Sequence, residues 1–357
     1  MILDLQGLWV KLGQYMSTRA DALPESWIFF LSRLQDSMPA RPLKEVKVTI
    51  TRALGVDSDK VFESIESKAI AAASIAQVHR AVLKEGGLTV AIKVQHSHIA
   101  EMMHSDLVIF GSLLYWMGLL MPNMSLKPVL EEWSKEVSKE LDFRIEAENM
   151  TRVRHNMMKA GLPATVPRVI EKYVSREVLV MRFIDGSPAS IPPHKMDRLG
   201  VDRELLAARV CTAVAHQIYV DGFFNGDPHP GNILIQRRGD HFRGDPTDDL
   251  LIRAQAAGAP STRLGTRMPS QAAGLASDGV PVPHRMRNLL LKGPPEEYIP
   301  IMLDFGMTKE LEAGMRIAFG KMVVGVETVD FNLVLEAFDE MGMRFSTEDI
   351  TSDVENL

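Results

Sequence analysis

The sequence predicts an α/β chain, mixed α+β in detail, with two lobes behind a helical N-terminal extension. Three observations carry this. Apolar residues such as Leu8, Leu12, Tyr15 and Met16 recur at helical spacing within residues 4–66, a strand hairpin follows over 67–95, and a second strand pair comes after a run of helices. The 357 residues hold 40 Lys+Arg against 46 Asp+Glu and are 46% hydrophobic, the proportions of a globular protein of two or so domains. A disordered acidic tail and a collagen-like fibre are excluded. The net charge of -6 leaves no basic footprint for neutralising a phosphate backbone, so nucleic acid is not an expected partner.

In chain order, Pro24, Pro39 and Pro42 punctuate the helical extension, assigned to residues 1–66. The first lobe is assigned to 67–184. It opens with the strand Ala76-Gln-Val-His-Arg-Ala-Val-Leu, turns at Gly86-Gly87 and continues as Thr89-Val-Ala-Ile-Lys-Val. Helical segments are expected over roughly 98–160. Within them the uncharged run Leu107 to Asn123 is slightly short of the ~20 residues a bilayer span needs, so a buried helix is expected, with a membrane face as the second reading. A strand is read at Glu177 to Ile184. The second lobe, 185–357, holds a helix over 203–220, a Gly/Pro-rich loop over 221–231, and the strands Ile233 to Ile235 and Ile299 to Leu303. The insertion between them, 236–298, is rich in Gly, Pro, Ala, Arg and Ser without sustained period, and reads as disorder, a linker or an intron retained in the gene model.

Single residues give little chemistry. Cys211 stands alone, which excludes disulfides and cysteine-based zinc sites, and a small buried thiol is expected. His96, His98 and His104 lack partners at ligand spacing and read as surface histidines. No signal or transit peptide is visible in the first residues.

A constellation does carry chemistry. Asp227-Pro-His-Pro-Gly-Asn232 is followed, after the second strand pair, by Asp304-Phe-Gly306. An Asp with an Asn five residues on, then an Asp before Phe-Gly, is the pattern in which one carboxylate faces the attacking oxygen. The Asn and the second Asp then hold Mg²⁺ on phosphates. Upstream, Val90-Ala-Ile-Lys93 supplies a strand lysine for the phosphates, and Glu146 lies in a helical stretch suited to pair with it. A glycine-rich loop is missing. Ala71-Ala-Ala-Ser-Ile-Ala-Gln-Val78 stands there instead, with Ala71, Ala73 and Ala76 at the glycine positions. In isolation an alanine run is a good helix. Ahead of a hairpin that ends in Lys93 it reads as a modified phosphate loop, made by Ala71, Ala72, Ala73, Ser74, Ala76 and Val78.

These residues resemble the UbiB-like atypical kinases, also called the aarF-domain or ADCK family, with a protein-kinase-like fold. Family-specific features are Lys11-Leu-Gly-Gln14, the alanine-rich loop, Glu140-Leu-Asp142 and Asp227-Pro-His-Pro-Gly-Asn232. The resemblance implies ATP and Mg²⁺ as cofactors. Asp227 then takes the catalytic-loop position, Glu146 pairs with Lys93, Asn232 and Asp304 bind metal, and Met181 and Phe183 flank the adenine hinge. It also implies that Lys11 and Gln14 meet Glu140 and Asp142 as a regulatory element over the nucleotide. Glu140 and Asp142 point about 200° apart on a regular helix, so both can face one site only if the helix is interrupted.

By the same resemblance the expected role is an ATPase or small-molecule kinase in prenylquinone (ubiquinone or plastoquinone) metabolism, peripheral to a mitochondrial or chloroplast membrane. Prenylquinone precursors or a membrane lipid surface are the expected partners. Two other readings are a phosphotransferase of the aminoglycoside or choline kinase type, and a nucleotide-binding pseudokinase scaffold. Three departures are visible. Asn225 stands where kinases place the His of H-R-D, leaving a bracing hydrogen bond without its usual donor, and Arg182 occupies a hinge position often held by Glu. Finally, about 50 residues follow Gly306 with no A-P-E signature, so a shortened C-lobe is expected.

Overall fold

The computed structural model describes residues 7–10, 40–120, 127–237 and 298–343. The chain divides into two compact units. Among the described residues, the first holds those up to Thr151 and Pro167–Ile184; the second holds Arg152–Val166 and those from Asp185 on.

The first unit is built on a five-stranded antiparallel sheet: β1 (Phe62–Ile65), β2 (Ala71–Ala72), β3 (Ala76–Leu83), β4 (Thr89–Gln95) and β5 (Val178–Arg182). Its order is β1-β3-β4-β5, with β2 on β3. Gly86 and Gly87 both have positive φ, which lets the β3–β4 connection turn back at no steric cost. Alternation along the strands sends Val90, Ile92, Val94, Val178 and Val180 to one face, where they pack with Val46 and Ile50 of helix α1 (Leu43–Leu54). Phe62–Ile65, read as part of the helical extension, is a strand because it pairs with β3. Helices α2 (Ile99–Leu120) and α3 (Lys127–Glu140) form a second cluster, with Leu8, Ile99, Met103, Phe110, Val137 and Leu141. The helical residues 7–10 are pinned there as the backbone N–H of Leu8 and Nε1 of Trp9 donate to buried Asp106, at 3.3 and 3.1 Å.

Helix α2 departs from the buried helix expected over 107–123. Its outer face exposes Val108, Ile109, Leu113, Tyr115, Trp116 and Leu119, because among the described residues only the opposite side packs into the cluster. Among the described residues no helix is long and apolar enough to cross a membrane. Helix α4 (Phe143–Ala160) follows α3 after a break at Leu141 and Asp142.

The second unit has a three-stranded sheet, β6 (Ser187–Pro188), β8 (Ile233–Arg237) and β9 (Tyr298–Met302), in the order β6-β8-β9. A separate strand pair joins β7 (Phe223–Asn225) to β10 (Thr308–Glu310), so the loop expected over 221–231 contains a strand. Helix α5 (Pro193–Leu199) and helix α6 (Arg203–His216) precede β7. A π-helical turn, Gln217–Asp221, follows α6, and α7 (Ala313–Thr328) and α8 (Phe331–Glu340) pack as a hairpin. Cys211 is exposed, not buried. The inward stripe of α6 runs through Leu206, Arg209 and Ala213, and residue 211 falls off that face. The β8–β9 register runs from Ile233↔Met302 to Arg237↔Tyr298, so Gln236, Arg237 and Tyr298 are strand residues and not part of an insertion. The rest of that insertion, 238–297, lies outside the described residues, as do Lys11, Gln14 and most of the helical extension.

Candidate nucleotide site

In the first unit, the face of the sheet opposite the core carries the chemistry. Register places Lys93 opposite both Val78 and Leu179, and Ala91 opposite Met181, so these five residues share that face. The Lys93 Nζ donates to both oxygens of Glu146, at 2.7 and 2.8 Å, and lies 5.1 Å from the centre of the Phe143 ring. Glu146 is only 4% exposed and Lys93 only 16%. A buried charge of either sign is costly alone, so each residue makes the other's ionised form tolerable. Phe143 and Glu146 reach the lysine together because they sit three apart in the first turn of α4. A carboxylate is also favoured near a helix N-terminus.

The break before α4 separates Glu140 from Asp142. Glu140 ends α3, while Asp142 caps α4 by accepting from the backbone N–H of Arg144 at 3.1 Å. The Asp142 carboxylate also accepts from the Arg144 guanidinium, at 2.6 and 2.9 Å, and this partner holds its pKa below the usual aspartate value. The chain therefore does have the interruption that convergence of the two carboxylates requires.

The alanine run forms a strand and a turn, not a helix. Ala71 and Ala72 pair with Val78 and Gln77, and the turn closes as Ala73 N–H donates to Ala76 O at 2.8 Å. No residue from Ala71 to Val78 has a positive φ. Ala73 is exposed at the tip, whereas Ser74 and Ala76 are buried. His96 is buried as well, contrary to the surface reading of the histidines, and its ring bonds to Ala73 O. Among the described residues no cluster of three or more His, Cys, Asp or Glu could hold a metal. On β5, Met181 is buried, and the ring of Phe183 lies 4.8 Å from the Arg80 guanidinium while its N–H donates to Thr89 O. Arg182 is buried too, and its N–H donates to Arg168 O at 2.8 Å.

The second unit collects Asn225, Asp227, Asn232 and Asp304. Asn225 ends β7 and is buried. Its Nδ2 donates to Asp304 O at 2.6 Å, and its Oδ1 accepts from Asp227 N–H at 2.8 Å. The brace left without its usual donor by the loss of His is thus made here by an amide. Gln217, fully buried in the π-helical turn, accepts from Asn225 N–H at 3.0 Å. Sequence reasoning missed it, although a glutamine inside an apolar helical run was a visible signal. π-turns of this kind are frequent at functional sites.

Past Asp227 the loop is fixed by its own residues. His229 Nδ1 accepts from Gly231 N–H at 3.0 Å, and a Cβ at position 231 would lie 2.6 Å from the imidazole, so a side chain there would displace the ring from this bond. Leu303 N–H donates to Asn232 O at 2.9 Å, which brings Asn232 and Asp304 to the same end of the β8–β9 hairpin. Mg²⁺ characteristically takes one or two carboxylates and completes its shell with waters and substrate phosphates. One Asn and one Asp fit an ion that arrives with a nucleotide better than a metal held by protein alone.

A family model for the ABC1 atypical kinase-like domain matches residues 33–246. The chain is 32% identical over 232 residues to an AarF domain-containing protein kinase 1 of Gallus gallus, covering 65% of this chain and 44% of that protein. It is 35% identical over 235 residues to a probable protein kinase UbiB of Erwinia tasmaniensis, covering 65% and 43%. It therefore spans less than half the length of these two relatives. Among solved structures, a Mycobacterium tuberculosis protein in complex with erythromycin is similar in fold, with TM-score 0.56 and 21% identity over 99% of this chain and 75% of that one. With a kinase-like α/β fold and a family match over more than half its length, the chain belongs to the ABC1 atypical kinase-like family, which includes the UbiB and AarF-domain proteins.

Proposed function

We propose that the chain binds ATP with Mg²⁺ and acts as an atypical kinase or ATPase in prenylquinone lipid metabolism, at the surface of a mitochondrial or chloroplast membrane. The observation that carries the nucleotide reading is the buried two-oxygen contact of Glu146 with Lys93. It fixes a cation on the sheet face that also bears Val78, Ala91 and Met181. A lysine so held is a point charge suited to the α/β phosphates, and the apolar residues beside it suit adenine. Phe183 follows just past the end of β5 as part of the hinge. Asn232 and Asp304 would hold Mg²⁺, which supplies charge neutralisation at the transferring phosphoryl group. Asp227, half-exposed and braced through its backbone by Asn225, is the residue to orient the attacking hydroxyl or water. The alanine turn from Ala71 to Val78 takes the place of a glycine-rich phosphate loop. Glu140 and Asp142, with Lys11 and Gln14, form the regulatory element.

The lipid and organelle parts of this reading rest on family membership. The names of the bacterial relatives support kinase chemistry without naming an acceptor. The test is ATP turnover by the purified chain with and without Mg²⁺, across quinone precursors and lipid head groups, with Asp304→Asn alongside. The parent is expected to turn over ATP only with Mg²⁺. The variant is expected to lose Mg²⁺-dependent binding and turnover by about a hundredfold or more. Equal metal-dependent affinity in both would refute the assignment of Asp304.

A further inference from the structure

One buried side chain beside the alanine turn has no part in the reading above. His96 comes directly after β4, three residues past Lys93. Its backbone N–H donates to Ile75 O at 2.9 Å, and its Nε2 lies 3.0 Å from Ala73 O. A carbonyl oxygen only accepts, so Nε2 carries the hydrogen, and in a neutral imidazole Nδ1 then carries none. Among the described residues Nδ1 is buried without a partner, so a second proton there would be an unpaired buried donor. Burial holds the pKa of this ring below the ordinary histidine value, against the opposing pull of its bond to Ala73 O; nearby Arg41 adds to the lowering and Glu45 opposes it. The ring is therefore a fixed neutral donor at neutral pH.

One residue thus ties down two carbonyls of the turn. The peptide group is planar, and no peptide in the described residues is cis. With the Ala73 carbonyl drawn to His96, the N–H of Ser74 in the same peptide plane must face the opposite way. In a phosphate loop the carbonyls repel the anion and the amides attract it, so which way each peptide faces decides what the loop binds.

We propose that His96 is a positioning residue for the nucleotide, setting the orientation of the Ala73–Ser74 peptide and through it the preference between ATP and ADP. This rests on the reading that the turn meets nucleotide phosphates. Two variants separate its parts. In His96→Gln the side-chain amide can replace the Nε2 donor, whereas His96→Phe keeps a ring of similar size without a donor.

Amide hydrogen exchange at residues 73–76, measured on the full chain without nucleotide, reads the clamp alone. His96→Phe is expected to speed exchange there by about fivefold or more, the scale of one lost hydrogen bond, and His96→Gln to stay near the parent. Titration with Mg-ATP and Mg-ADP reads the consequence. The ratio of the two affinities is expected to move by about fivefold in His96→Phe and to be rescued in His96→Gln.

Unchanged exchange in a folded His96→Phe chain overturns the clamp whatever the nucleotides do. Faster exchange with an unchanged ratio overturns the positioning role. A parent that binds neither nucleotide removes the parent reading and this one with it, while exchange still reports whether His96 holds the turn. Should His96→Phe not fold, His96→Asn, whose amide is too short to reach Ala73, takes its place with the same expected outcomes.

Discussion

The lysine-bearing sheet of the first unit and the Asp227–Asp304 loops of the second handle charge in opposite ways. Lys93 and Glu146 are closed on each other, with the carboxylate at 4% exposure and both of its oxygens taken by the ammonium. Asp227 is open: its side chain is 55% exposed, and its contact with His229 is at 4.0 Å. A buried charge must be matched inside the protein, whereas a carboxylate that faces water is matched by solvent. In the second unit neutral amides brace backbone groups, Asn225 holding Asp304 O and Asp227 N–H, and Gln217 holding Asn225 N–H.

Opening the closed pair should give the largest effect. Glu146→Gln leaves the Lys93 ammonium largely buried beside a neutral amide and is expected to cost about 3 kcal/mol in denaturant unfolding, together with weaker ATP binding. A variant as stable as the parent would show that the pair is more hydrated than its burial implies. Loosening the open half should cost less in stability and more in turnover. Asn225→Ala removes the bonds to Asp304 O and Asp227 N–H, worth about 2 kcal/mol together. It is expected to lower kcat while Mg-ATP affinity changes little. An equal loss in both would mean that the brace positions Asp304 as strongly as Asp227.

The smallest effect belongs to Asp142, which caps α4 just ahead of Glu146. Its folded-state pKa is depressed by Arg144, so its contribution is complete above the unfolded aspartate range and is lost as pH falls through the lower folded value. Asp142→Asn is expected to cost under about 1 kcal/mol at neutral pH, since Arg144 is largely exposed. In urea midpoints that difference should vanish in strong acid. A difference that persisted there would assign the effect to helix capping and not to the ion pair.

The lysine strand and the Asp227 to Asn232 offset could be read because each is local: strand period and fixed spacing survive in a single sequence, whereas the Lys93–Glu146 pairing spans 53 residues and followed from the family resemblance. What escaped depends on partners far along the chain. Phe223–Asn225 is too short to show a period and becomes a strand through Thr308–Glu310, more than eighty residues on. The alanine run is a different case: despite strong helix propensity it pairs within itself, Ala71 and Ala72 with Val78 and Gln77, as a strand and turn ahead of the hairpin. The burial of His96 and the exposed face of α2 were likewise set by which neighbours the fold supplies, and buried Gln217 is matched by partners that the fold brings to it, Asn225 N–H and Met302 Sδ.

The amide at Asn225 also decides what acid can do to this loop. An imidazole in its place would change charge between about pH 5 and 8, and with it the hydrogen bonds it can accept. Asn225 has no proton to gain in that interval, so its own bonds to Asp304 O and Asp227 N–H are the same in mildly acidic and in neutral solution. Any loss of turnover on acidification then reports groups that do titrate, His229 of the same loop among them, while the bonds made by Asn225 stay constant.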